Sequence, residues 1–347
     1  MCTNNNTFEL DMSQIEHIIR ICDRIKPLLA VNCITYNHEP YIRDTLEGFV
    51  LQRTNFPFVA VVHDDASTDG TADIIKEYAA KYPELIIPFI ETENQYSKCD
   101  GSLQRRMNAC IRGEYVAFCE GDDWWTDPLK LQKQVDFLEA NPDYGLCYTK
   151  ISRYSQLHGE MLCDWGGDFE SFEQHIQGNV IPTLSVVIRR HLVDEYLREV
   201  QPQTHGWKMG DYPMWLYAAA HSKIKFLPCI TGVYRILEQS MSHDRSYLKM
   251  LAFRKSTIDI RLFFLEKYGH GLPAGIHADQ QLRYMKFDVL EKALTADKAG
   301  LDEAVERLKS LILSMGIGTR LKLFWLIYFP RTIARIKKIM AERKEIK

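Results

Sequence analysis

Residues Tyr115 to Trp125 read Tyr-Val-Ala-Phe-Cys-Glu-Gly-Asp-Asp-Trp-Trp. A short apolar run of strand length and strand chemistry ends in three carboxylates and then two indoles. Glu120, Asp122 and Asp123 therefore stand where a buried strand leaves its sheet. Three carboxylates so close repel one another unless a cation holds them. A hard divalent ion, Mg2+ or Mn2+, commonly takes one or two carboxylates together with phosphate oxygens. Bound so, it neutralises charge developing on a departing diphosphate. The plain alternative is an acidic turn on a solvated rim. Trp124 and Trp125 oppose it, because indoles are costly to expose beside a charged turn. They suit a wall for a sugar or a base.

Around this stretch the chain alternates strand and helix. Residues 13–25 predict a helix, with Ser13 and Glu16 as a capping box and Pro27 as its stop. Strands are expected at Leu28–Ile34, Phe58–His63, Leu85–Ile90, Tyr115–Cys119 and Gly145–Thr149. Helices are expected between them at Tyr41–Gln52, Thr71–Tyr82, Arg105–Arg112 and Pro128–Ala140. Such alternation predicts an α/β domain with a mostly parallel sheet, flanked by helices and joined by right-handed crossovers. Ligands bind such sheets outside the carboxyl ends of the strands. The unusual residues follow strands one, two and four, in agreement with that rule. Beyond Lys150 the pattern loosens. Leu184–Ile188, Ile224–Leu227 and Thr231–Tyr234 are further strand candidates. His191–Val200 and an apolar stretch after Asp211 are helix candidates, and from Ser246 the chain reads as helix after helix. The expected organisation is an N-terminal helix (1–26), a main domain (27–245) and a C-terminal helical region (246–347).

Two further segments carry candidate chemistry. After the second strand, Asp64 and Asp65 precede Ala-Ser-Thr-Asp-Gly-Thr. Turn and capping residues explain Ser67 to Thr71, but not two carboxylates at the strand end, where one can accept a nucleobase N–H. Asp211 sits just before an apolar helix. It reads both as an N-cap and as a general base facing a pocket. Arg105, Arg106, Arg235 and His243 suit either a diphosphate or an ordinary surface.

Composition sets limits. The chain has 347 residues and a net charge of -3, which argues against a nucleic-acid binder. Its nine cysteines contain no CxxC pair and read as reduced, mostly buried thiols. No apolar run reaches the ~18 residues of a membrane span, and the first residues lack the basic and apolar parts of a signal peptide. A cytoplasmic location is therefore expected. From Arg320 to Lys347 there are nine Lys/Arg against two Glu, interleaved with Leu321, Leu323, Phe324, Trp325, Ile327, Tyr328 and Phe329. That pattern fits an interfacial helix on a membrane surface equally with a packed helix whose basic face is solvated.

In order and spacing, the strand into Tyr36-Asn37, the Asp64–Thr71 block, Gly113–Trp125 and Gly210-Asp211 resemble the family 2 glycosyltransferases of the GT-A fold, over roughly residues 26–240. The acidic block looks like the family's Glu-Gly-Asp-Asp-Tyr-Trp variant, with Trp124 in place of Tyr. The resemblance implies that Tyr36, Asp64, Asp65, Glu120 and Arg235 bind the nucleotide of a nucleotide-sugar. It implies that Asp122 ligates the metal, with His243 beside the diphosphate as a further ligand, and that Asp123, Trp124 and Trp125 line the donor or acceptor pocket. Asp211 matches the catalytic base, which would take the proton of an acceptor hydroxyl as it attacks the anomeric carbon with inversion. Glu120 departs from the usual Asp. The implied function is transfer from a UDP-sugar to a glycan or lipid-linked acceptor in surface polysaccharide synthesis, at the inner face of the membrane. A nucleotidyltransferase, a metal phosphohydrolase and a non-catalytic nucleotide- or glycan-binding protein are the alternatives. The loop from Thr35 to Pro40 lacks the Gly-rich, basic character that the first of these needs.

Overall fold

The computed structural model describes residues 5–237, 246–295, 297–313, 315 and 317–344. By contacts these divide into two compact units. One comprises the described residues up to His205 together with Met214–Leu237. The other comprises Gly206–Pro213 together with the described residues from Ser246 onward.

The first unit begins with α1 (Asn5–Ile25), β1 (Leu29–Thr35), α2 (Ile42–Val50), β2 (Phe58–Asp64), α3 (Thr71–Lys81) and β3 (Ile86–Ile90). It continues through α4 (Ser102–Cys110), β4 (Tyr115–Phe118), β5 (Trp124–Trp125), α5 (Lys130–Ala140), β6 (Tyr144–Ser155) and β7 (Glu160–Trp165). Then come α6 (Phe172–Gln177), β8 (Val187–Arg189), α7 (Arg190–Val200), α8 (Tyr212–His221) and β9 (Lys223–Ile236). Helix α1 starts well before Ser13, so Ser13 lies inside the helix and is not its cap.

Among the described residues nine strands form one sheet in the order β3-β2-β1-β4-β8-β6-β9-β5, with β7 paired to β6. The strands β3, β2, β1 and β4 run parallel, as the alternation predicts. Beyond β4 the sheet is mixed: β8 is antiparallel to β4 and β6, whereas β6 and β9 are parallel. The two strand candidates near residue 230 are one strand, β9. Its register against β6 jumps from Thr149↔Leu227 to Lys150↔Ile230. Pro228 has no N–H to give the ladder, so an irregularity there is expected. Leu29, Val31, Cys33, Ala60, Val62, Tyr115, Ala117 and Trp125 meet Leu46, Phe49, Leu131 and Val135 from the helices in a continuous core.

The parallel register sets the site. Thr35 stands opposite Asp64, and Asp64 opposite Ile90, so β1, β2 and β3 end on one line. The loops after β1, β2 and β4 leave from that edge.

In the second unit, α9 (Tyr247–Tyr268), α10 (Ala274–Leu294), α11 (Lys298–Leu313), α12 (Ile317–Tyr328) and α13 (Pro330–Lys344) follow one another, as expected beyond Ser246. They bury Leu251, Val289, Leu290, Leu301, Leu308, Leu323, Leu326 and Ala334 in a core of their own.

Candidate active site

The loops after β1 and β2 are laced together. The Asn37 amide donates to Ser67 Oγ (2.8 Å), the His38 amide to Thr71 Oγ1 (2.9 Å) and the Glu39 amide to Asp69 (3.1 Å). In return Thr68 N–H donates to Asn37 Oδ1 and Gly70 N–H to the Glu39 carboxylate, both at 2.8 Å. Asn37 and Ala66 hold positive φ of 54° and 61°, a conformation that Asn tolerates better than Ala. The Ser67–Thr71 block is thus scaffold, as its turn chemistry suggested. Asp69 also accepts from Thr71 N–H at the start of α3 (3.0 Å).

Asp64 and Asp65 diverge. Asp65 is buried, and its two carboxylate oxygens accept the backbone N–H groups of Gln95 (2.7 Å) and Tyr96 (3.0 Å). It folds the loop after β3, which the sequence reading did not include in the site. Asp64 uses one oxygen for Ser67 N–H (3.1 Å), while its Oδ1 is buried with no hydrogen-bond partner among the described residues.

The loop after β4 is held from two sides. On α2, the buried Thr45 hydroxyl reaches both the Gly121 and Asp123 carbonyl oxygens, at 3.0 and 2.6 Å. On β9, Arg235 gives its backbone N–H to Asp123 Oδ1 (2.8 Å) and its Nε–H to the Asp122 carbonyl (2.8 Å). Its remaining nitrogens reach Gln156 and Asp44, both at 2.7 Å. The guanidinium lies 4.8 Å from the Tyr41 ring centroid and 4.4 Å from that of Trp124. Arg235 is 6 % exposed. Its side chain, expected at the nucleotide, therefore braces the acidic loop. Gly121 is needed for close approach: a Cβ there would lie 2.5 Å from Thr35 Cβ and Oγ1 and 3.1 Å from His38 Nδ1.

Held in this way, Glu120, Asp122 and Asp123 bring one carboxylate oxygen each within 4.8 Å of the others. Asp123 is 2 % exposed. Burial, then the neighbouring charges of Asp122 and Glu120, push its carboxyl well above the ordinary carboxylate range. The buried Oδ1 of Asp122 has no hydrogen-bond partner among the described residues. Native proteins seldom leave a buried carboxylate oxygen unanswered, and an all-oxygen donor set suits Mg2+ or Mn2+. The residues fit a divalent cation. Thr35 Oγ1 and His38 Nδ1, also buried and without a partner among the described residues, stand beside the same loop. Burial lowers the His38 pKa, while the carboxylates of Asp122, Asp69 and Asp64 oppose that shift.

The two indoles have different surroundings. Trp125 is 1 % exposed, donates its indole N–H to the Leu184 carbonyl (2.8 Å) and packs against Phe49 and the buried Lys130. It is a core residue. Trp124 is half-buried, between Arg235 and Tyr154. Tyr36 is exposed at the end of β1. Arg106 forms a buried ion pair with Glu91 (2.6 Å), which also meets His63 (3.1 Å), and Arg105 bonds the Asp100 carbonyl. Asp211 lies in the second unit, immediately before α8, where its Oδ1 accepts the Tyr212 N–H (2.7 Å). His243 lies outside the described residues.

An acidic loop at the carboxyl edge of a half-parallel sheet, with three carboxylates close enough to share a cation, is the arrangement of a GT-A fold. Residues 31–190 match the family model described as Glycosyl transferase family 2. The chain belongs to glycosyl transferase family 2. It is 35% identical over 261 residues to Uncharacterized protein Rv1520 of Mycobacterium tuberculosis, covering 72% of this chain and 67% of that one. It is 36% identical over 171 residues to the putative teichuronic acid biosynthesis glycosyltransferase TuaG of Bacillus subtilis, covering 48% of this chain and 63% of the relative. Among solved structures, S. aureus TarS 1-349 in complex with UDP-GlcNAc superposes with a TM-score of 0.57 at 18% identity, over 91% of this chain and 89% of TarS. Family membership leaves the nucleotidyltransferase and phosphohydrolase alternatives without support.

Proposed function

We propose that the protein is an inverting glycosyltransferase that moves a sugar from a UDP-sugar to a hydroxyl of a glycan or lipid-linked acceptor. The single observation that carries the reading is the Asp122 carboxylate. One of its oxygens is buried and unpartnered among the described residues, within an acidic loop that Thr45 and Arg235 hold rigidly. Asp122 would hold Mg2+ or Mn2+, with Glu120 and Asp123 alongside. When bound, the ion would supply positive charge to the leaving diphosphate.

The chain's own residues do the rest. Asp64 and Tyr36 line the nucleotide from the edge of β1 and β2. Asp65 shapes the 94–96 loop that completes this side, and Trp124 offers a partly open face to the sugar. Asp211 is the base that accepts the acceptor proton as its oxygen attacks the anomeric carbon. The UDP-GlcNAc bound by TarS supports a uridine donor, and the likeness to TuaG, a putative teichuronic acid biosynthesis glycosyltransferase, supports a part in polysaccharide synthesis.

Calorimetric titration with UDP, with and without Mn2+, tests this reading. Binding should be at least tenfold tighter with the ion than without it, and Asp122→Ala should lose that gain. Asp211→Asn should keep UDP binding and lose transfer by roughly a hundredfold or more, as for loss of a general base. UDP binding indifferent to EDTA would remove the metal from the reading. Full turnover by Asp211→Asn would remove the base.

A further inference from the structure

Helix α12 carries two opposite apolar faces. Leu323, Leu326 and Ile327 are buried in the core of the second unit. Leu321, Phe324, Trp325 and Tyr328 fall at i, i+3, i+4 and i+7, so they form one stripe. They are 67%, 44%, 59% and 60% exposed, and Phe329 continues the stripe at 48%. On α13, Ile336, Ile339 and Met340 repeat the pattern at i, i+3 and i+4, again about half exposed. Scattered apolar residues on a surface are ordinary, but an aromatic-rich stripe on one helix followed by an exposed aliphatic stripe on the next marks a contact surface.

Charge identifies the occupant. The same stretch, residues 320–347, contains nine Lys/Arg and two Glu. Arg331, Arg335 and Lys338 alternate with the exposed apolar positions of α13. Lys286 and Arg254 add positive charge near Lys337, whose pKa is lowered by partial burial and then by their like charges. A second copy of the chain docking through this stripe would set these cations against their own images. A surface of anionic headgroups over an apolar interior answers both features. Trp and Tyr favour that boundary, and Lys and Arg favour its negative potential. No described helix is long and apolar enough to cross a membrane, so the contact is adsorption in the plane of the interface.

We infer that α12 and α13 form a docking surface for an anionic phospholipid bilayer, with the Leu321–Phe329 stripe inserted at headgroup depth and the α13 cations on the lipid phosphates. This inference does not depend on the transfer chemistry.

Co-sedimentation of the full chain with vesicles tests it. One set would be phosphatidylcholine alone, the other phosphatidylcholine with one-third phosphatidylglycerol. The partition coefficient should be at least tenfold higher on the anionic vesicles and should fall as salt is raised. Trp325→Ser with Tyr328→Ser should lower it at least tenfold. Both side chains are largely exposed, so the circular dichroism and thermal midpoint should hold. Arg335→Gln with Lys338→Gln should remove the preference for phosphatidylglycerol. No binding to anionic vesicles, or equal binding by the wild type and the Ser variant, would overturn the inference. So would a wild-type dimer in light scattering that the Ser variant abolishes, since that result assigns the stripe to a second copy.

Discussion

At the scale of single residues, three carboxylates converge on one loop whose supports come from distant parts of the chain. Clustered carboxylates at a strand end announced a cation site, and the structure brings the three acids together. Side-chain type alone did not reveal that Asp65 would spend its oxygens on the 95–96 backbone. Nor did it reveal that Arg235, 112 residues beyond Asp123, would brace the acidic loop. Those bonds join positions that only the folded sheet brings together. Gly121 shows what such packing demands. Its Cα lies against Thr35, and an added methyl would sit 2.5 Å from that side chain. Thr35 is itself buried, so the loop must yield. Gly121→Ala should cost about 1–3 kcal/mol of stability, the range for overpacking. It should also weaken metal-dependent UDP binding more than tenfold, because the displaced loop carries Asp122. Denaturant unfolding and calorimetry measure the two effects separately. Unchanged UDP affinity would mean that the loop tolerates the methyl without moving its acids.

At the scale of elements, regular alternation was readable and short or polar elements were not. The β-α-β run up to α5 follows from apolar periodicity. In β5 there are two residues, too few for any pattern. Strand β7 is exposed along nearly its whole length, so it lacks the apolar alternation by which strands are found. The six-residue α6 was missed although Ser171 and Gln174 form a capping box that its sequence advertises. Within α6 lies His175, fully buried against Tyr148 and Phe169, with its Nε2 2.9 Å from the Phe169 carbonyl oxygen. Burial pushes its imidazole down to about 4. The unfolded chain takes up this proton near pH ~6.5. Between these values the unfolded state binds more protons, so stability rises with pH. The contribution is complete above about pH 6.5 and is lost as pH falls toward 4, with a span of about 3 kcal/mol. Urea unfolding of wild type and His175→Phe at pH 7.0 and 4.5 should show the gap between them shrinking or reversing at the lower pH. Loss of the bond to Phe169 is common to both conditions and cancels. A gap that is the same at both pH values would clear His175 of any part in acid sensitivity.

The brace between β9 and the acidic loop is testable in the same spirit. Lysine keeps the charge of Arg235 but lacks the planar fork that reaches Asp122, Gln156 and Asp44 together. Arg235→Lys should cost about 2–4 kcal/mol, the range for disrupting buried charged hydrogen bonds. It should also lower affinity for UDP with Mn2+ while leaving the residual metal-free affinity unchanged. A fall in both affinities alike would instead make Arg235 a direct ligand of the nucleotide.

At the scale of the whole molecule, the segment that carries the proposed base belongs by its contacts with the C-terminal helices. Trp207 packs on Phe263 at a centroid distance of 5.3 Å and donates its indole N–H to Asp259 (3.0 Å). The Lys208 amide bonds Ser256 Oγ (2.9 Å). Arg261 reaches the hydroxyl of the buried Tyr212, next to Asp211, at 2.9 Å. All four partners lie on α9. No local pattern links residues 206–213 to a helix about fifty residues later, so this arrangement was invisible in the sequence. Its consequence is that α9, which carries no matched family motif, sets the position of Asp211. Trp207→Ala removes the ring and its hydrogen bond but leaves the acidic loop and its braces intact. Misplacing a catalytic group by about 1 Å can cost on the order of a hundredfold in rate. Trp207→Ala should therefore lower kcat by about ten- to a hundredfold, with calorimetric UDP affinity in Mn2+ unchanged. Trp207→Phe, which keeps the packing on Phe263, should recover most of the rate. An equal loss in kcat and UDP affinity would mean that the substitution unsettles the fold broadly. An unchanged kcat would mean that α9 does not position the base.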